Sequence, residues 1–429
     1  MKMAESKSKN KILTIEEIAN KVNKDLKREL LVEGIRDQVI KRIPFSSPRM
    51  NYQTYGGVPR GRMIEFSGPE SSGKTTTALD IIGNFQKLAK LEYDTEVSEL
   101  ESKLQEPKLK ATDKKELSAR LDELKYLGRQ RVVYIDQEGT LDSEWASING
   151  VDVDDLWLFP LQEHTAEQIL DIAIDTIKSG QCGLLIIDSI AMLIPQQVAD
   201  ESLETKSYAG NAKPVTDFVN RAIPLLGKNN CTCIVINQVK DKIGGYSGGL
   251  STPCGHALKH QCSLRLSFRQ GPPVNELGIE QKVSCDSPQG NIVQSYLIKS
   301  KTCKPDRRTS FYTLNYDRGV DVLPDTVNMA IQYGIIKGSG WYTFVNPNTG
   351  EVICDEEGDP FKIQGIANVY DYLKEEPEFF NKISSWVDSI MYAKKSNNHE
   401  DDVIPDDIAK EIKDANNESL VDSGDNNEY

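Results

Sequence analysis

The chain has 429 residues, 38% of them hydrophobic, and a formal net charge of −14. It is long enough for one large domain with appendages or for two domains, its apolar runs fall short of the ~18 residues of a membrane span, and the polar stretch Met1–Lys7 lacks a secretory core. Eight cysteines without C-x-x-C spacing fit reduced thiols in a cytoplasm and argue against a disulfide scaffold.

Residues 12–40 have a helical pattern, with Ile15, Ile18, Val22, Leu26, Leu30 and Leu31 near helical spacing. Pro44, Pro48 and Pro59 then punctuate a polar stretch. Arg62–Phe66 reads as a strand entering Gly68-Pro69-Glu70-Ser71-Ser72-Gly73-Lys74-Thr75, and Thr76–Ile82 as the helix leaving it. The octapeptide fits the phosphate-loop pattern G-x-x-x-x-G-K-[ST] without a mismatch. Such a loop points backbone N–H groups and a helix dipole at phosphate oxygens. Lys74 then reaches the β- and γ-phosphates, and the Thr75 hydroxyl ligates Mg²⁺. The expected ligand is a nucleoside triphosphate, ATP first.

Residues 89–131 hold 10 acidic and 10 basic side chains. Leucines at 100, 104, 117, 121, 124 and 127, with Pro107 between the groups, predict an antiparallel helical hairpin projecting from the core. It is either a partner-binding arm or a solvated insertion. Three further apolar runs end in polar residues: Arg131–Ile135 before Asp136-Gln137-Glu138, Leu184–Ile187 before Asp188, and Cys231–Ile236 before Asn237-Gln238. Helical patterns such as Glu167–Lys178 and Asp217–Leu226 separate them. Continuous apolar strands alternating with helices predict an α/β fold with a parallel sheet buried on both faces, whose ligands sit at the carboxyl ends of the strands.

Each polar end has a chemical reading. Asp188 holds Mg²⁺ through water, or else caps a helix. Glu138 orients the water that attacks the γ-phosphate, with Asp136 as its local rival. The Gln238 amide bonds the γ-phosphate or that water. Beyond it, Lys240–His256 holds five glycines, lysines and a tyrosine, a loop suited to phosphodiester contacts or merely a flexible connection. Lys299–Arg308 is the densest basic run, five positive residues to one acid. It meets DNA or a neighbouring subunit's nucleotide, or is a solvated turn.

Charge is segregated. Residues 400–429 contain 11 acidic and 2 basic side chains, and the first 43 residues carry 11 basic and 7 acidic. An acidic tail either masks a basic surface or only solubilises.

These residues resemble the RecA family of recombinases over roughly residues 45–345, broken by the hairpin. The loop Gly68–Thr76, Tyr134–Asp142, Ile187–Ala191, Ile236–Gly244, Gly255–Lys259 and Gly340–Tyr342 carry the resemblance. It implies a RecA-type P-loop ATPase core at 46–325 with a mostly parallel sheet flanked by helices. Around that core it places an N-terminal helical, oligomerisation segment at 1–45, a small mixed C-terminal domain at 326–396 and a disordered acidic tail at 397–429. It also implies a DNA-dependent ATPase that forms helical filaments on single-stranded DNA and pairs it with homologous duplex, using ATP and Mg²⁺ in the bacterial cytoplasm without a membrane. An accessory loading protein is a further expected partner.

By position, Gly68 to Thr76 bind nucleotide, with Lys74, Glu138 and Gln238 catalytic and Thr75 and Asp188 at the metal. Asp142 and Trp145 contact adenine. Residues 199–214 and 240–256 form two DNA loops, with Arg221, Lys240, Lys242, Gly244, Gly245, Tyr246, Gly255 and Lys259 as DNA contacts. Lys299 and Lys301 reach across the subunit interface toward the neighbour's ATP. His260 stands where the family has phenylalanine, and Pro214 where arginine is expected. With the hairpin and short N-terminal segment, these departures look more like a phage-encoded (UvsX-like) member. A ring-forming helicase and a nucleotide-gated DNA-binding protein without turnover are the alternative readings.

Overall fold

The computed structural model describes residues 14–25, 40–107, 109–161, 163–200, 212–241, 250–251, 255–393 and 404–421. Residues 1–40 form one unit and 41–429 another. In the first, Ile15–Asp25 is an amphipathic helix with Ile15 and Ile18 exposed. The rest of the helical pattern expected over 12–40 lies largely outside the described residues.

The second unit is organised on a nine-stranded sheet. Its strands are β1 (Met63–Gly68), β2 (Arg131–Asp136), β3 (Leu156–Pro160), β4 (Cys182–Asp188), β5 (Thr232–Gln238), β6 (Leu264–Val274), β7 (Gly290–Ser300), β8 (Thr309–Asn315) and β9 (Gly319–Asp321). They lie in the order β9-β8-β7-β6-β1-β5-β4-β2-β3. From β6 to β3 all neighbours are parallel; β7, β8 and β9 extend the sheet antiparallel. β1, β4 and nearly all of β5 are buried because their Ile, Val and Leu side chains meet helices on both faces. One face packs on the helix Lys74–Leu104 through Ala78, Leu79, Ile82 and Phe85. The other packs on the helices Ala166–Lys178 and Ala212–Asn229 through Ile169, Ala173, Phe218 and Ala222.

The register places the strand ends together. Gly68 pairs opposite Gln238, and Asp136 opposite Asp188. The predicted hairpin is present, and its first arm is not a separate helix. The helix that starts at Lys74 runs unbroken for 31 residues to Leu104, and Ala111–Leu127 packs back along it. Leu100 and Leu121 are its buried apolar contacts, and Arg120–Glu96 and Lys125–Glu101 pair across it.

The helix Val322–Gln332 opens the C-terminal part. A three-stranded sheet (Ile336–Lys337, Trp341–Phe344, Lys362–Gln364) and the helices Ile366–Glu375 and Pro377–Ala393 share a core around Val327, Phe344, Val369 and Val387.

Residues Asp406–Val421 form a helix. Its stripe of Ile408, Ile412 and Ala415, with Ile404 just before it, packs on Tyr296 and Ile298 of β7, while Asp407 pairs with Arg269 and Glu411 with Arg265 of β6. Apolar residues at helical spacing supply a face to bury, and the acids on that side find arginines, so local order outweighs a net-acidic composition.

Candidate nucleotide site

β1 delivers Gly68 into the loop and the long helix begins at Lys74. The glycines are sterically required. Gly68 has φ 154°, and a Cβ there would stand 2.4 Å from the Phe268 carbonyl oxygen. Gly73 has φ 87°, and its Cβ would meet Val293 at 2.8 Å. The loop therefore closes against β6 and β7 with its N–H groups at a helix N-terminus, a cradle for phosphate.

Lys74 is buried, and its Nζ donates to the Pro69 carbonyl at 2.5 Å and to Ser72 Oγ at 3.4 Å. Burial lowers its pKa, against the pull of Asp188, Glu138 and Glu70. An ammonium turned back on its own loop and partly stripped of water is suited to exchange those partners for phosphate oxygens.

Asp188 ends β4 with two donors on one oxygen. The Thr75 hydroxyl donates to its Oδ2 at 2.8 Å and the Tyr134 hydroxyl at 2.7 Å. Burial pushes its pKa up to about 6; the two hydroxyls oppose that rise, and Glu138 and Asp136 add to it. A hydroxyl and a desolvated carboxylate beside a phosphate cradle are hard oxygen donors of the kind Mg²⁺ takes, with water and phosphate completing its shell. The donor set thus fits Mg²⁺, which would be held by Thr75 and Asp188. Among the described residues no cluster of three His, Cys, Asp or Glu side chains forms a protein-only metal site.

Gln238, ending β5, donates from Nε2 to Glu138 Oε1 at 2.9 Å. Asp136 is occupied otherwise: it accepts from the backbone N–H of Glu138, Gly139 and Leu141. It shapes the turn that presents Glu138, which separates the two rival carboxylates. Asp142 caps the helix Ser143–Ile148, accepting from Trp145 N at 2.7 Å. Trp145 lines a pocket of ≈ 430 Å³ together with loop residues 71–76, Gln270, Asn291, Leu314 and Tyr316. An indole on the wall of a phosphate-ended pocket suits a purine.

The strand ends thus bring together Gly68–Thr76, Glu138, Asp188 and Gln238, with Trp145 on the pocket wall. Other predicted residues lie elsewhere. Lys299 Nζ donates to the carbonyls of Lys259 and His260, closing the last turn of the helix Gly255–Gln261. Lys301 is exposed on the turn after β7. Arg221 pairs with Asp171 on the surface. Lys240 belongs to a short ladder with Ser251, and Gly255 begins the next helix. Lys242, Gly244, Gly245 and Tyr246 lie outside the described residues, as does most of the expected first DNA loop.

Tyr134 was missed by sequence reasoning because an aromatic inside a strand reads as core. A hydroxyl-bearing ring two residues before a strand-end acid was the available signal. Gln270, Asn291 and Tyr316 come from strands β6 and β7 and the turn after β8, where the sequence offered the basic run from Lys299 but no pocket residue.

A sequence model of the RecA N-terminal domain matches residues 14–97 and 121–321. The chain belongs to the RecA family. The unmatched gap falls on the outer half of the helical hairpin, marking it as an insertion into the family pattern. The chain is 30% identical to Protein RecA of Acidothermus cellulolyticus over 330 residues, 76% of this chain and 77% of that one. It is 30% identical to Protein RecA of Syntrophus aciditrophicus over 340 residues (78% and 79%), and 29% to Protein RecA of Borrelia duttonii over 345 (80% and 77%). The crystal structure of the RadB recombinase aligns with TM-score 0.40 at 15% identity, covering 65% of this chain and 98% of that one. As a RecA-family member, this chain is a DNA recombinase of recombination and repair and a DNA-dependent ATPase. RecA-family recombinases use ATP with Mg²⁺, bind DNA and assemble into oligomeric filaments.

Proposed function

We propose that this RecA-family recombinase hydrolyses Mg–ATP at the converging ends of β1, β2, β4 and β5, and couples that turnover to a filament on single-stranded DNA that pairs homologous duplex. The contact of Gln238 with Glu138 carries the reading, because it joins a γ-phosphate sensor to a water-orienting carboxylate in one hydrogen bond. Lys74 leaves the Pro69 carbonyl for the β- and γ-phosphates. Thr75 and Asp188 hold Mg²⁺, which neutralises charge developing on the phosphates. Glu138 orients the attacking water. When the Gln238 amide turns to a γ-phosphate, it releases Glu138 toward that water and moves the start of the 240–256 segment. Trp145 stacks on the base, and Asp142 acts by holding the helix that carries it.

Lys299 and Lys301 act in trans, on ATP bound by a neighbouring copy; their place at the end of β7 and on the turn after it, where Lys299 bonds the helix Gly255–Gln261 and not its own loop, supports this. Arg221, Lys240, Lys242, Gly244, Gly245, Tyr246, Gly255 and Lys259 serve DNA, and Arg221 must exchange Asp171 for a phosphate to do so. The protein works in the cytoplasm with an accessory loading protein, and the hairpin insertion supports a phage-encoded (UvsX-like) origin.

The test is the double variant Lys299→Ala/Lys301→Ala. It should fold and bind ATP but lose DNA-stimulated phosphate release. Normal stimulation would defeat the trans assignment. Negative-stain images with single-stranded DNA and a slowly hydrolysed ATP analogue should contain helical filaments; closed rings would favour a helicase instead.

A further inference from the structure

A buried hydroxyl lies behind the phosphate cradle. Tyr312 stands on β8, with β7 and β6 between it and β1, and is 1% exposed. Phe45, Met50 and Val320 enclose the space beside its ring. Its hydroxyl is 2.8 Å from Thr77 Oγ1 and 3.4 Å from the Gly73 carbonyl oxygen. The Thr77 hydroxyl donates to that carbonyl at 2.7 Å, and the Thr77 N–H at 2.9 Å. With the Thr77 proton on Gly73, the Tyr312 proton falls on Thr77 Oγ1. The two hydroxyls then form a chain that ends on one carbonyl of the loop. Burial pushes the Tyr312 pKa well above that of an ordinary phenol, with Thr77 opposing and Asp80 and Asp325 adding to the rise, so the hydroxyl keeps its proton to donate.

That carbonyl matters because of what lies across its peptide bond. The Gly73–Lys74 unit is planar and trans, so its C=O and the Lys74 N–H point in opposite directions. The Lys74 N–H is one of the donors that a helix N-terminus leaves unpaired, and Lys74 is among the residues 71–76 that line the nucleotide pocket. Gly73, at φ 87°, offers little resistance of its own to rotation of that plane. A side chain cannot be added to stiffen it, since a Cβ would stand 2.8 Å from Val293 and 3.2 Å from the Tyr312 hydroxyl. The stiffness has to come from outside the loop, and Thr77 with Tyr312 behind it supplies it.

We propose that Tyr312 is a positioning residue for the nucleotide: through Thr77 it fixes the Gly73–Lys74 peptide plane, so that the Lys74 N–H is already aimed at a phosphate oxygen. This rests on the reading that Gly68–Thr76 takes the phosphates of ATP. A donor held in place before the ligand arrives needs no ordering on binding. The contact is the same in the ground state and the transition state, so its loss raises KM and leaves kcat alone.

The test uses the full chain and measures Mg–ATP hydrolysis at saturating single-stranded DNA together with calorimetric binding of ADP. Tyr312→Phe removes only the outer hydroxyl, and Thr77→Val exchanges the inner one for a methyl group. Each should raise KM for ATP and Kd for ADP about fivefold, the contribution of one hydrogen bond, with kcat within about twofold of the parent. The two together should do no more than either alone, because both cut one chain. Thr77→Ser keeps the hydroxyl and should leave both constants at their parent values. Ile82→Val, fully buried further along the same helix, is the packing control: it should lower the melting temperature and leave KM unchanged. A fall in kcat at unchanged KM, as a partly unfolded population would give, overturns the proposal. So does an unchanged KM in Tyr312→Phe, or in Thr77→Val if the first variant does not fold, and so do additive losses in the double variant. Failure of the phosphate reading would appear in the parent protein, as absent ADP binding, and would take this proposal with it.

Discussion

Two adjacent amides at the end of β5 have opposite surroundings. Gln238 reaches Glu138 at 2.9 Å, in a partly open site at the strand ends. One residue earlier, Asn237 donates to Glu65 at 2.8 Å in a fully buried cluster with Arg265. Burial alone would raise the Glu65 pKa, but Arg265 and Asn237 hold it below the usual carboxylate range. The first pair is left with capacity to bond a ligand; the second is enclosed inside the protein beside Arg265. A polar group at the end of a buried strand can serve something external, whereas one within the strand must be satisfied by the fold itself. The parallel half of the sheet therefore carries chemistry. The border strand β6, beyond which the sheet turns antiparallel, holds a charge cluster whose last partner, Glu411, comes from the tail.

Removing a carboxylate on each side breaks this comparison most directly. Glu138→Ala should keep ATP binding and lower DNA-stimulated turnover by about 10³-fold, within the range of a lost general base; phosphate release and nucleotide binding measured together test this. Retained turnover would leave the Glu138–Gln238 contact structural, like its neighbour.

Arg265→Met should instead act on stability, by about 3–5 kcal/mol, because Glu65 is left buried and unpaired. Adding Glu65→Leu should restore most of the loss, and thermal unfolding of the two variants measures the difference. Tyr134→Phe lies between the two cases. It removes one of the two hydroxyls on Asp188, costs about 1 kcal/mol and should raise the Mg²⁺ concentration needed for half-maximal hydrolysis several-fold.

The smallest effect sharpens the comparison within the antiparallel border. Buried Asp325 accepts from Thr313, and desolvation pushes its pKa up to about 7, with Arg49 and Thr313 opposing. Its folded form prefers the proton, so its contribution is complete below the ordinary carboxylate pKa and is lost as pH rises through about 7. Asp325→Asn should gain on the parent protein as pH rises from 4 to 7 and nothing below pH 4. Melting curves at the two pH values decide it.

Strands β1, β2, β4 and β5 were legible because β1 leads into the P-loop pattern, which fixes its own geometry, and the other three are short apolar runs closed by an acid or amide. The border strand β6 was not, since it mixes Leu264, Leu266 and Phe268 with Arg265 and Arg269, and its arginines become intelligible only with Glu65 and the tail in view. The tail helix was hidden by averaging. Across a stretch of thirty residues with 11 acids, four apolar ones at near-helical spacing barely change the composition, yet they decide where the segment lies. For the pocket, Trp145 could be named from the family resemblance, but Gln270, Asn291 and Tyr316 are brought in by pairing between distant strands.

The unbroken helix from Lys74 to Leu104 makes the hairpin a lever. At 1.5 Å per residue it is about 46 Å long, with its fulcrum at the phosphate cradle. A tilt of about 5° at Lys74 would displace the far tip by roughly 4 Å. A partner gripping that tip could therefore sense, or impose, a change at the nucleotide too small to see at its origin.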